Sequence, residues 1–245
     1  MRLLLACCLL CGLAVAGISI DAQRVANPNT GCQARSSDGD LTVFIPAGAD
    51  TGSFVVMTVY LDAGAASTPT DWTPVSGNPF DDGTEQMYIF WRFLPEAASN
   101  PVTTISGLSG VAGGSIFTLN GVDPDTPIEV VGEDSTATST VCYGWSINTS
   151  TDSAWAVIVC GWGDNGVPTL TKFGGSTTGC FNITAGGSNI GNDMAVSVGG
   201  KQFDAAGATG EGSMSMSNVP WVTVVLSIKP AAAAATTVAP GFFFR

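Results

Sequence analysis

Side-chain catalysis needs an acid and a base held close together. Three acidic groupings in this chain could supply such a pair: Asp81, Asp82 and Glu85; Asp123, Asp125 and Glu129; and Glu133 with Asp134. Two carboxyl groups flanking a sugar bond could act as the acid and nucleophile of a glycosidase. These acids sit among Gly and Pro, however, where Asp and Glu are ordinary turn formers, and turn bracing is the simpler reading. The same oxygens are hard cation ligands, so Asp123 and Asp125, with Asp38 and Asp40, are the candidates for Ca2+. No stretch matches the twelve-residue calcium loop, and Pro124 and Pro127 fit a rigid turn at least as well. The chain contains no His, which removes the commonest general base near neutral pH and the usual activator of a nucleophilic Ser. Zinc also lacks its ligands, because Cys32, Cys142, Cys160 and Cys180, the cysteines beyond the N-terminal apolar run, include no close pair. The expectation is a non-enzymatic protein without a cofactor, Ca2+ being the one ion its residues could hold.

Other side chains could bind rather than react. Trp72 and Trp162 fall in or near loops, which suits stacking on a sugar ring; core packing at strand ends is the alternative, and the preferred one. Arg92 interrupts the apolar run MYIFWRFL. It is expected to lay its stem on a sheet and pair with a carboxylate, a substrate-binding Arg being the sharper alternative. Asn148 and Asn182 open Asn-X-Ser/Thr sequons and are candidates for N-glycosylation.

The elements that must position these residues read as strands. In residues 140–161, Val141, Tyr143, Trp145 and Ile147 alternate with small or polar residues, and Trp155, Val157 and Val159 do so after a polar turn. Folded as a hairpin about Thr151, Tyr143 faces Val159, Trp145 faces Val157 and Ile147 faces Trp155. That register also sets Cys142 opposite Cys160 on the other face. Opposed strand residues offer a Cα separation of about 5.5 Å, which a disulfide spans, so the spacing predicts a Cys142–Cys160 bridge. Further strands are expected at 41–45, 53–61, 87–94, 102–105, 115–119, 128–131, 169–173, 180–184, 194–198, 213–217 and 221–228. The runs at 53–61 and 87–94 are apolar on both faces, as central strands are. About a dozen short strands with Gly, Pro and Asn punctuation, and no amphipathic helix, predict an all-β protein: a two-layer antiparallel β-sandwich.

The 245 residues are 45% hydrophobic and only 11% charged, with 31 Gly and a net charge of −12. That composition argues for a folded chain. Eight scattered Lys and Arg against twenty acids argue against nucleic acid and against anionic membrane surfaces. Arg2, an apolar run to Val15 and the small-residue motif ending at Ala16 form a secretory signal pattern, too short for a comfortable span. Cleavage is expected after Ala16, or a few residues later near Ala22. An N-terminal arm (17–39) and a sandwich domain (40–229) follow. The tail (230–245) carries Phe242, Phe243 and Phe244, either free or docked on a neighbouring subunit. Four cysteines remain after cleavage. In an exported chain they suggest two bridges, and Cys142–Cys160 leaves Cys32–Cys180.

Several stretches occur here in an order that resembles a known group. They are Asp71-Trp72-Thr73-Pro74-Val75, Ile89-Phe90-Trp91-Arg92, the run GVDPDTPIE from Gly121 to Glu129, and a last strand ending in Ile228-Lys229-Pro230. The group comprises β-sandwich proteins of bacteriophage virions and tails and modules of bacterial surface proteins. GVDPDTPIE is the most specific part, and the likeness covers about residues 41–230. The resemblance implies a jelly-roll-like sandwich, broadly concanavalin-like, with a structural or adhesive role and no catalysis. The signal pattern and paired cysteines favour a secreted or surface-displayed relative. Self-association, other structural subunits or glycans are then the expected partners.

Overall fold

The computed structural model describes residues 19–24, 34–35, 39–45, 49–81, 83, 85–95, 102–163, 169–173, 181–185 and 195–232. These residues are all-β and antiparallel. The first half of the chain supplies β1 (Ser19–Arg24), β2 (Ala34–Arg35), β3 (Gly39–Phe44), β4 (Phe54–Ala63), β5 (Thr73–Pro74), β6 (Phe80–Asp81), β7 (Gln86–Phe93) and β8 (Val102–Asn120). The second half supplies β9 (Ile128–Gly144), β10 (Asn148–Thr149), β11 (Trp155–Trp162), β12 (Thr169–Phe173), β13 (Phe181–Ala185), β14 (Ala195–Gln202), β15 (Gly207–Ala208) and β16 (Gly212–Ile228).

The strands at 102–105 and 115–119, read from the sequence as separate, are the two ends of β8. Those at 213–217 and 221–228 both belong to β16. The intervening Gly and Pro do not end these strands. β16 shifts register between Ser215 and Val219, as a bulged strand does when it bends.

Each main sheet is drawn from one half of the chain, and the two halves repeat one topology. In the first, β1, β2 and β3 run in succession along β8, β8 pairs with β4, and β4 pairs with β7. In the second, the single long β9 runs along β16, β16 pairs with β11, and β11 pairs with β14. Strands of a jelly roll alternate between two sheets. Among the described residues none crosses over, so the jelly-roll detail implied by the resemblance is not the observed connectivity.

Burial explains the layering. Phe54, Val56, Tyr60 and Phe117 from the first half form one cluster with Val157, Val159, Val224 and Leu226 from the second, so the sheets meet face to face. At the closest point Gly161 leaves room for the Tyr60 ring: a Cβ there would lie 2.6 Å from Tyr60 Cγ. On the same face of β4, the Thr58 and Ser115 hydroxyls pair at 2.5 Å, which satisfies both inside an apolar layer. Outside each sheet lies a smaller cluster. Leu41 and Val43 of β3 cover Val55, Met57 and Val59. Cys142, Ile147 and Met214 cover Ala156, Ile158, Cys160 and Trp162.

The hairpin expected over 140–161 is corrected by this arrangement. β9 and β11 do not pair with each other; β16 pairs with both, setting Cys142 opposite Met214 and Cys160 opposite Thr223. The Cys142–Cys160 disulfide forms nonetheless, at a Cα separation of 6.5 Å, and ties the β9–β16 ribbon to the sheet beneath it. The positions facing that sheet are Cys142 and Gly144, and a Cβ added at Gly144 would come 2.6 Å from Val225 Cγ2. Tyr143 and Trp145, expected in the core, therefore face solvent, 46% and 58% exposed.

Candidate functional site

Five of the acids proposed for catalysis or Ca2+ hold hydrogen bonds among the described residues. Asp123 Oδ1 accepts the backbone N–H groups of Asp125 (2.9 Å) and Thr126 (3.0 Å), and Oδ2 pairs with Lys229 Nζ at 2.9 Å. The hydrogen bond from Lys229, followed by the two backbone donors, holds the Asp123 carboxyl down at about 2. Glu129 accepts four hydrogen bonds: from Ser150 N (3.1 Å), Ser150 Oγ (2.6 Å), Thr151 Oγ1 (2.8 Å) and Ser227 Oγ (2.7 Å). Desolvation pushes its carboxyl up, but the four donors together outweigh it and leave it below the usual range.

Asp81 accepts Gly83 N at 3.0 Å, Asp40 accepts Gly107 N at 3.2 Å, and Glu85 accepts the Tyr60 phenol. Asp38 and Asp82 lie outside the described residues, as do Cys32 and Cys180. Glu133 and Asp134 fall in β9 opposite Val224 and Thr223. Among the described residues no three His, Cys, Asp or Glu side chains converge as a metal site would require.

The two candidate sugar-stacking tryptophans are not available for that role. Trp162 is fully buried in the outer cluster with Cys160 and Met214, and Trp72 is 6% exposed. The Arg92 guanidinium lies 4.9 Å from the Trp72 ring centroid. Arg92 thus stacks on an aromatic face, and among the described residues no carboxylate forms the expected ion pair with it. Burial lowers its pKa, and the charge of Asp71 acts against that. Asn148 is exposed in β10, while Asn182 lies in β13. The neighbouring Thr149 is buried and bonded to the backbone of Gly207.

Two features remain that can meet a partner. The first is the Tyr143–Trp145 pair, the exposed large hydrophobics among the described residues. No sequence signal separated these two from core aromatics, because their alternation fits either face. The second is a cavity of about 320 Å³ at the junction of the two halves, lined by residues 73–76, Trp91, residues 125–128 and Val131. One wall is the segment linking the halves, held by the strand that leaves the second half. Lys229 N donates to Pro127 O (2.8 Å), Asp123 N to Lys229 O (3.0 Å) and Ala231 N to Gly121 O (2.8 Å). The GVDPDTPIE stretch and the Ile-Lys-Pro ending, remote in sequence, are thus two sides of one clamp. Asp125, on the cavity wall, is exposed, and its carboxylate makes no hydrogen bond or ion pair among the described residues.

Compared with known protein families, curated proteins and solved structures, the chain matches none.

Proposed function

We propose that this protein is a non-catalytic structural or adhesive β-sandwich subunit of an extracellular surface, fibre or virion assembly. The observation that carries the reading is the exposed Tyr143–Trp145 pair. Tyr and Trp supply large contact area at low conformational cost and recur at the energetic centres of interfaces. Two large aromatics left exposed, where the other large hydrophobics of assigned exposure among the described residues are buried or half-buried, mark a contact surface. The engagement of Asp123 and Glu129 in turn and strand bracing supports a structural role for acids that a glycosidase would keep free. The two-layer sandwich of tandem halves suits such a subunit, since its ends and faces can be presented separately. Secretion follows from the signal pattern, and phage-like or bacterial surface relatives from the resemblance.

The test is electron microscopy and sedimentation of the purified protein beside a Tyr143→Ser/Trp145→Ser variant. Ordered oligomers or filaments in the wild type, lost in the variant without loss of fold, are expected. A wild type that stays monomeric at high concentration overturns the reading. The same pair also fits the alternative of a secreted carbohydrate-binding module, because aromatic faces stack on sugar rings. Saturable glycan-array binding lost in the same variant, with no assembly, would decide for that alternative.

A further inference from the structure

Residues 242–244, three consecutive Phe followed by Arg245, play no part in the assembly reading. The cavity at the junction of the halves is equally unassigned, and the two features fit each other. Its walls are mainly apolar, with Pro74, Val75, Trp91, Ile128 and Val131 among them, and its volume of about 320 Å³ admits a small apolar group. Trp91, Ile128 and Val131 are partly buried residues packed on the inter-sheet core, so the cavity is an opening into that core. Its rim carries the Asp125 carboxylate, which has no partner among the described residues.

The described chain ends beside this opening. Lys229 N bonds to Pro127 O, a cavity-lining residue, and Ala232 is three residues further on. Ten residues then lead to Phe242, a reach of about 33 Å when extended, which is ample for a return to the cavity. Three Phe left in water would form a sticky patch on an otherwise acidic molecule. We propose that the segment at residues 242–244 of the same chain docks in this cavity, a Phe ring against Trp91 and Val131, with Arg245 beside Asp125. The inference is independent of the assembly reading, because it involves neither Tyr143 nor Trp145.

The test uses the full chain with Phe243→p-benzoylphenylalanine, irradiated as an equal mixture of isotopically light and heavy protein. Cross-links to Trp91, Ile128 or Val131 within one isotopic species are expected. Mixed light–heavy links would mean that a second copy supplies the segment, and links elsewhere, or none, would mean that the cavity is not its site; each overturns the proposal. A second measurement, hydroxyl-radical footprinting of Trp91, compares the unmodified chain with a Phe242→Ser/Phe243→Ser/Phe244→Ser variant. A tethered segment acts at about millimolar local concentration, so Trp91 oxidation should rise several-fold in the variant. Equal oxidation in both proteins overturns the proposal. Near-ultraviolet circular dichroism of each substituted chain beside the unmodified one checks that the sandwich remains folded in both experiments.

Discussion

Replacing Gly161 with Ala tests the contact on which the face-to-face packing depends, and the sign of the effect is decisive. An interior strand glycine is normally a liability, and Ala there should stabilise by about 0.5–1 kcal/mol through chain entropy alone. Here the added Cβ would lie 2.6 Å from Cγ and 2.7 Å from Cε2 of Tyr60. Carbon atoms pack at about 3.5–4.0 Å, so the ring must retreat by about 1 Å. It cannot do so freely, because Tyr60 is fully buried and its phenol is bonded to Glu85. Overpacking costs about 1–3 kcal/mol, and pulling a buried hydroxyl from its acceptor adds about 1–3 kcal/mol. Set against the entropic gain, the net expectation is a loss of about 2–4 kcal/mol. At about 2–4 °C per kcal/mol for a chain of this size, the midpoint should fall by about 5–15 °C. The assay is thermal and urea unfolding with the disulfide oxidised, in wild-type and Tyr60→Ala backgrounds. Without the ring, Gly161→Ala should become neutral or mildly stabilising, a coupling of about 2–5 kcal/mol. A rise in stability in the wild-type background, or the same loss in both, would refute the packing argument.

Three further expectations concern stability. Removing both sulfurs with Cys142→Ser/Cys160→Ser opens a link across a sequence separation of 18 and should cost about 3 kcal/mol by chain entropy, read as a lower urea midpoint than that of the oxidised wild type. Thr58→Val leaves the Ser115 hydroxyl buried without its partner, a loss of about 1–3 kcal/mol, whereas Thr58→Val/Ser115→Ala should return close to wild type; equal losses in the single and double variants would count against the pairing. Asp123 has a folded pKa of about 2 against an ordinary 3.8, so its contribution is fully present above pH 3.8 and is lost as the pH falls towards 2. The pair with Lys229 is partly open to solvent, so Asp123→Asn should cost about 0.5–1 kcal/mol at pH 6, and urea unfolding should show that difference vanishing near pH 2.

Some of this molecule is legible in its residues. Period-two alternation located β11 and the 221–228 part of β16, because a strand with one buried face must place apolar residues at every second position, and short apolar runs located β3, β4, β7 and β12. The runs at β4 and β7 announced their central place by being apolar on both sides. The Cys142–Cys160 link was correctly chosen, and Asp123 of GVDPDTPIE is the turn former it was weighed to be, since it accepts the backbone N–H groups two and three residues on; Glu129, weighed the same way, instead braces the distant Ser150, Thr151 and Ser227.

What the residues left open was which strand lies beside which. Alternation is a local property with two equivalent parities, and pairing is settled by contacts far away in the chain. β11 is buried on both faces, so either parity of its neighbour looked equally apolar. Only the insertion of β16 between β9 and β11 turned Tyr143 and Trp145 to solvent. The same long-range packing enclosed Trp72 and Trp162, and it brought Lys229 against Asp123, residues more than a hundred positions apart that meet because the two halves close on each other at their shared edge.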